Sequence, residues 1–118
     1  MSAEQATLKR LQEAEFLLRK ALAPAVAQRM QARFGPGWRM YASRAQGADP
    51  RADLDLYALL KTLIANWNDA FAGDFKPHVR SCAYVAQEGR NAVAHANGAI
   101  PHEDALRFLD AHRRLLEA

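Results

Sequence analysis

The residues of this chain best suited to chemistry lie in one six-residue run, from Arg90 through Asn91 to His95. The guanidinium of an arginine is planar and permanently charged, so it can bind a phosphate. A histidine can accept or donate a proton near neutral pH. Asn91, one turn before His95 on a helix, can orient the imidazole. An arginine for phosphate and a histidine for proton transfer are the minimum equipment for cleaving RNA without a metal.

Helical spacing divides the segment around this run into two faces. Small and apolar residues form a predicted core stripe: Val79, Cys82, Ala86 and Val93. Polar residues form a ridge on roughly the opposite side: Tyr84, Glu88, Asn91 and His95. Tyr84 and Glu88 are therefore candidate substrate-binding residues. Tyr84 would stack on a base or lie in an interface, and Glu88 would contact His95, contact Arg90 or remain solvated.

Arg90 lies nearer the core stripe, about 140° around an ideal helix from His95. Three interpretations follow. The long side chain reaches around the helix, or two copies of the helix meet at a twofold axis and share a site. In the third, Arg90 is structural and holds a buried carboxylate, for which the candidates are Asp53, Asp55 and Asp110.

The irregular segment after the first helix is a candidate for binding RNA. The irregular segment 35–52 is basic, and its Arg39 and Arg44 are candidate contacts to an RNA backbone. A solvated basic loop is the alternative.

His78 and Cys82 have a spacing that can bind zinc, but no second ligand pair accompanies them. We therefore expect no metal site and no cofactor.

The apolar periodicity predicts helices that would position these residues. We expect four: from Ser2 to Gly35, from about Asp53 to Phe71, from Pro77 to Asn97-Gly98, and from Pro101 onward. Pro24 should kink the first helix or split it. No segment has the alternation typical of a strand. The prediction is an all-α bundle of four to five helices.

The whole chain indicates one cytoplasmic domain. It has 118 residues, of which 50% are hydrophobic, and a net charge of +3, which allows nucleic acid as a partner without indicating it. No apolar run is long enough for a membrane span, the N-terminus lacks a signal-peptide pattern, and there is one cysteine. Because the helical pattern continues to Ala118, we expect residues 1–118 to be the N-terminal part of a longer protein, with a natural stop as the alternative.

Beyond the motif, the sequence resembles a HEPN domain of the Swt type, a helical-bundle family named for its presence in higher eukaryotes and prokaryotes. HEPN ribonucleases carry an arginine, a polar residue, a short spacer and a histidine, and Arg90, Asn91 and His95 match this pattern. Three further stretches carry the resemblance: FGPGW at 34–38, DLYALLKTLIANWNDAF at 55–71 and ALRFLDAHRRLLEA at 105–118.

The resemblance implies a homodimer with the motif helices facing each other, and metal-independent RNA cleavage. The histidine would handle protons around the ribose 2′-hydroxyl, and the arginine would stabilise the charge on the attacked phosphate. Products would be a 2′,3′-cyclic phosphate and a 5′-hydroxyl, and DNA would not be cut. HEPN toxins silenced by adenylation carry a tyrosine where this chain has Asn97, so we do not expect that regulation.

Two alternatives remain at this point. Many HEPN domains are non-catalytic modules for dimerisation or nucleic-acid sensing within larger proteins, some of which act in antiviral defence or RNA surveillance. The other alternative is an unrelated helical adaptor in which the motif occurs by chance.

Overall fold

The computed structural model describes residues 3–40, 54–95 and 100–118. Four longer α-helices lie within these residues: α1 (Ala3–Phe34), α2 (Leu56–Ala65), α3 (Pro77–Ala94) and α4 (His102–Glu117). Residues 38–40 are also helical. A π-helical turn, Trp67–Phe71, follows α2. The described part of the chain contains no strand. The predicted all-α bundle of four to five helices is therefore confirmed.

Helix α1 continues through Pro24, so the expected alternative of a split does not occur. Proline removes one backbone hydrogen bond and crowds the preceding turn. Leu22 and Val26, on either side of it, are both buried in the core, and their burial holds the two halves in one helix. The helix stops at Gly35, whose φ of 79° is in the left-handed region and whose N–H donates to the Gln31 carbonyl at 2.8 Å. Ser2, where the first helix was expected to begin, lies outside the described residues.

Helix α2 is shorter than the expected helix over 53–71. Its first turn is capped by Asp55, whose Oδ1 accepts the N–H of Ala58 at 2.8 Å. It ends before Asn66, whose side-chain amide donates to the Thr62 carbonyl at 2.9 Å. This bond competes with regular helical pairing, and the chain continues as the π-helical turn. The predicted start at about Asp53 was too early and the helix is interrupted at Asn66, but the helical run ends at Phe71 as predicted.

The core lies where α1, α2 and α3 meet. Its largest fully buried side chains include Leu18, Met30, Leu60 and Phe71. A second, smaller cluster joins α1 to α4 through Leu11, Ile100, Ala105 and Phe108. Both clusters receive residues from α1, which therefore supports α3 and α4 together.

Helices α3 and α4 pack closely against each other at Gly89. A Cβ at that position would lie 2.7 Å from Cγ of Phe108, which is itself buried. Only glycine leaves room for the Phe108 ring there. The contact fixes the position of the residue next in the chain, Arg90.

None of the helices in the described ranges is both long and apolar enough to cross a membrane.

Candidate active site

The motif lies at the C-terminal end of α3. The helix ends at Ala94, and His95 is its C-cap, with φ −105° and ψ 5°. The prediction of an end at Asn97-Gly98 was too long, and residues 96–99 lie outside the described residues. The backbone N–H of His95 donates to the Asn91 carbonyl at 3.1 Å, so these two residues remain one turn apart. The imidazole is therefore carried by the last turn of the helix.

The predicted polar ridge is confirmed as a surface feature. Tyr84, Glu88, Asn91 and His95 are all exposed, whereas the stripe behind them is buried at Val79, Cys82 and Ala86 and partly buried at Val93. Half of the Tyr84 surface is exposed, at 51%, and the Arg80 guanidinium lies 5.9 Å from its ring. An accessible aromatic ring, an amide and an imidazole thus share one face of α3.

Arg90 is half-buried beside this ridge, as the helical spacing predicts, with 32% of its side chain exposed. Its Nη2 lies 3.9 Å from Oδ2 of Asp55, and its guanidinium lies 5.1 Å from the Tyr57 ring. Asp55 thus uses one oxygen to cap α2 and turns the other toward Arg90. The pair is weak, because the Asp55 side chain is 63% exposed and solvent screens the attraction.

Of the three carboxylates considered as partners for Arg90, only Asp55 is seen beside it. It is exposed rather than buried, so this part of the expectation was wrong. Asp110 instead pairs with Arg113 at 2.8 Å and Arg114 at 2.9 Å on α4. Asp53 lies outside the described residues.

Glu15 on α1, a carboxylic acid that the helical pattern did not single out, lies close enough to Arg90 for the arginine's charge to act on it. Its Oε1 is buried and has no hydrogen-bond partner. Burial raises the pKa of Glu15 to about 7, while the positive charge of Arg90 acts to lower the pKa. A signal was present in the sequence: Glu15 lies at helical spacing between Leu11 and Leu18, which are both core residues.

Glu88 is engaged elsewhere. Its Oε2 accepts a hydrogen bond from Nη1 of Arg107 at 2.7 Å, and this bond holds the pKa of the Glu88 carboxyl below its usual range. The carboxylate therefore pairs with α4 rather than with His95 or Arg90, which were the partners considered from the sequence. The pair ties α3 to α4 at the surface.

The two candidate residues of the basic segment have different outcomes. Arg39 is half-buried, with its guanidinium 5.5 Å from the ring of Trp38. It lies in a groove on α1 and not on the ridge of α3. Arg44 lies outside the described residues.

Metal-binding residues were also considered. His78 is exposed at the start of α3, and Cys82 is buried one turn later. Burial raises the pKa of the Cys82 thiol, which disfavours the thiolate that a metal would bind. Within residues 3–40, 54–95 and 100–118, no group of three or more histidine, cysteine, aspartate or glutamate side chains is placed to hold a metal ion.

Comparison with known proteins gives one match, to a family model that covers most of the chain. Neither the curated proteins nor the solved structures provide a match. A family model does match, with the description Swt1-like HEPN, over residues 14–118. The matched region contains Glu15, Arg90, Asn91 and His95, together with all of α2, α3 and α4. The chain therefore belongs to the Swt1-like HEPN family.

Proposed function

We propose that this domain is a metal-independent RNA endoribonuclease in which Arg90 and His95 are catalytic and Asn91 assists. The observation that carries the proposal is the accessibility of Asn91 and His95 at the end of α3, with Arg90 half-buried beside them. A motif that served only to pack the bundle would have no need to leave an imidazole and an amide in solvent. Membership of a family with nuclease-like, RNA-related domains supports the same conclusion.

The reaction needs a base, an acid and a charge stabiliser. The ribose 2′-oxygen loses its proton and attacks the adjacent phosphorus, and the bond from phosphorus to the 5′-oxygen breaks. The leaving 5′-oxygen takes up a proton, which gives a 2′,3′-cyclic phosphate and a 5′-hydroxyl. His95 is the proton carrier and Arg90 stabilises the charge on the phosphoryl oxygens. DNA lacks the 2′-hydroxyl and should not be cleaved.

A homodimer through the ridge of α3 would complete this site. In one protomer Arg90 and His95 point in different directions around α3, so a single phosphate is difficult for both to reach. Twofold pairing of the ridges would place both side chains of each protomer around one cleft. His95 could then act as base while His95 of the partner subunit acts as acid.

One observation favours a second candidate, a non-catalytic HEPN module for dimerisation or nucleic-acid sensing. Arg90 already has Asp55 and Tyr57 as partners within its own chain, which is what a structural arginine would show. Under this alternative the ridge of α3 would remain an interface, and the wild-type domain would not cleave RNA. Substitution of Arg90 would then reduce only the folding stability.

The deciding experiment measures cleavage of a mixed-sequence RNA in EDTA by the wild type and by His95→Ala. Loss of a proton carrier should lower the rate by about 100-fold or more. The matched control is His78→Ala, an exposed histidine at the other end of the same helix, which should cleave at the wild-type rate. Cyclic-phosphate ends from the wild type identify the mechanism. No cleavage by a folded wild-type dimer would reject catalysis by this domain and favour the module.

A further inference from the structure

A groove of about 440 Å³ lies along α1, beside Trp38 and Leu54. We call it the α1 groove. Its polar and aromatic lining residues are Phe16, Arg19 and Lys20 from α1, with Trp38 and Arg39 from beyond the end of that helix. Its size is within the range of about 300–1,000 Å³ that is typical of pockets for small organic ligands.

The chemistry of the lining is that of a site for a polyanion that carries flat rings. Three of the side chains are cationic, and no described residue that lines the groove is acidic. Phe16 is 61% exposed, an unusual position for a phenylalanine, so its ring is available to a ligand. Cationic side chains beside an accessible aromatic ring are the combination that binds single-stranded nucleic acid, through phosphates and base stacking.

The groove adjoins the motif. Phe16 directly follows Glu15, on which the charge of Arg90 acts. On the other side, Nε of Arg19 donates to the Leu54 carbonyl at 3.2 Å, and Leu54 directly precedes Asp55, the partner of Arg90. The lining of the groove is therefore adjacent in sequence to the residues around Arg90 at two places, Phe16 beside Glu15 on α1 and Leu54 beside Asp55 at the start of α2.

We propose that the α1 groove binds the RNA strand next to the cleaved phosphate, with an unpaired base on Phe16 and backbone phosphates at Lys20 and Arg39. This inference rests on the proposed function, because it assigns a path to that function's substrate. It also selects single-stranded RNA, since a base held in a duplex cannot present its face to a phenylalanine ring.

Binding can be measured without cleavage in a His95→Ala background, by fluorescence anisotropy with a labelled single-stranded RNA of about 12 nucleotides. Adding Phe16→Ala should weaken binding by about 5- to 150-fold, the range for loss of one stacked base. Adding Lys20→Ala should weaken binding and lower the slope of log K against log salt by about 0.7.

Matched controls come from the same helix. Leu17→Ala removes an equally exposed apolar side chain and Lys9→Ala an exposed cation, both outside the groove, and neither should change RNA binding. All four side chains are exposed, so thermal melting should be unchanged and the variants remain comparable.

Three results would overturn the groove assignment. The first is RNA binding that is unchanged in both Phe16→Ala and Lys20→Ala. The second is that the His95→Ala parent does not bind RNA at all. The third is that duplex RNA or anionic lipid vesicles bind with the same dependence on Phe16. Each is separable from the proposed function, which the cleavage assay in EDTA decides. Cleavage that depends on His95 but not on Phe16 would support the proposed ribonuclease function and would contradict RNA binding in the α1 groove.

Discussion

At the scale of single residues, the charge of Arg90 acts on two carboxylic acids in different environments, Asp55 and Glu15. Asp55 is exposed and paired with Arg90, whereas Glu15 is half-buried and has its pKa raised by burial to about 7. Near neutral pH, Glu15 therefore exchanges between a neutral and a charged form next to the arginine. Its charged form would then compete with the phosphate of the proposed RNA substrate for Arg90.

The raised pKa of Glu15 predicts a pH-dependent cost in stability. A carboxyl whose pKa is higher in the folded state contributes stability that is complete below its unfolded value of 4.5 and is lost as pH rises through about 7. Glu15→Gln should therefore unfold at higher urea concentration than the wild type at pH 8. Because the side chain is only half-buried, we expect a gain of roughly 1–2 kcal/mol there.

The pH profile distinguishes this cause from a general effect of the substitution. The advantage of Glu15→Gln should shrink toward pH 4.5, where the wild-type carboxyl is also neutral. Glu13→Gln, an exposed change on the same helix, should show no such trend. An advantage that did not vary between pH 4.5 and pH 8 would contradict the assignment of the titration to Glu15.

At the scale of elements, the motif is positioned by what α3 packs against. Gly89 lets α3 approach Phe108 of α4, and Asp55 starts α2 at the point where it meets Arg90. Both features lie beside Arg90, one of the proposed catalytic residues, and neither has a role in the proposed reaction. Their substitution should separate the placement of the site from its reactivity.

Gly89→Ala tests the close approach of α3 and α4. Alanine favours helix formation by up to about 1 kcal/mol, but its Cβ would overlap Phe108, and overpacking costs about 1–3 kcal/mol. We expect a net loss of thermal stability, measured by circular dichroism. Ala94→Gly, at the exposed end of the same helix, controls for changes in backbone freedom alone. A more stable Gly89→Ala variant would show that the Phe108 ring moves aside at little cost.

Substitutions of Asp55 separate the helix cap from the charge next to Arg90. Asn accepts the same capping hydrogen bond as Asp, whereas Ala does not. Asp55→Ala should lose about 1 kcal/mol in unfolding free energy, and Asp55→Asn should lose a few tenths at most. Both remove the carboxylate that faces Arg90. Equal losses of stability in the two variants would place the contribution of Asp55 in the ion pair and not in the cap.

At the scale of the whole molecule, the chain has two surfaces suited to different roles. The ridge of α3 carries Tyr84, Asn91 and His95 and would face a second copy. The α1 groove carries the cations and Phe16 and would face the substrate. A dimer would then have one central cleft with a groove leading into it from each protomer.

This arrangement predicts a dimer that depends on the ridge. Tyr84→Asp places a charge where an aromatic ring would be buried, and should weaken dimerisation by roughly tenfold or more, as measured by analytical ultracentrifugation. Leu17→Asp makes the same kind of change at an exposed apolar residue of α1 and should leave the dimer intact. Loss of dimerisation in Leu17→Asp but not in Tyr84→Asp would place the interface on α1.

The sequence by itself determined the local features of this protein. The helical period predicted the class of fold, the starts of α3 and α4, and the exposed ridge with Arg90 set apart from it, because backbone hydrogen bonds and side-chain spacing in a helix depend on near neighbours. The sequence also resembles the HEPN family closely enough to indicate it, because the motif and its flanking segments can be recognised from the order of residues alone.

Only the tertiary structure decided what surrounds Arg90. Asp55 could be proposed from the sequence, but its role as a cap depends on where α2 begins, and Glu15 is brought to Arg90 by the packing of α1 across the bundle. The continuity of α1 has the same cause, because Pro24 is tolerated where Leu22 and Val26 on either side of it are buried. Long-range packing and loss of solvent set these outcomes, and spacing along the chain does not encode them directly.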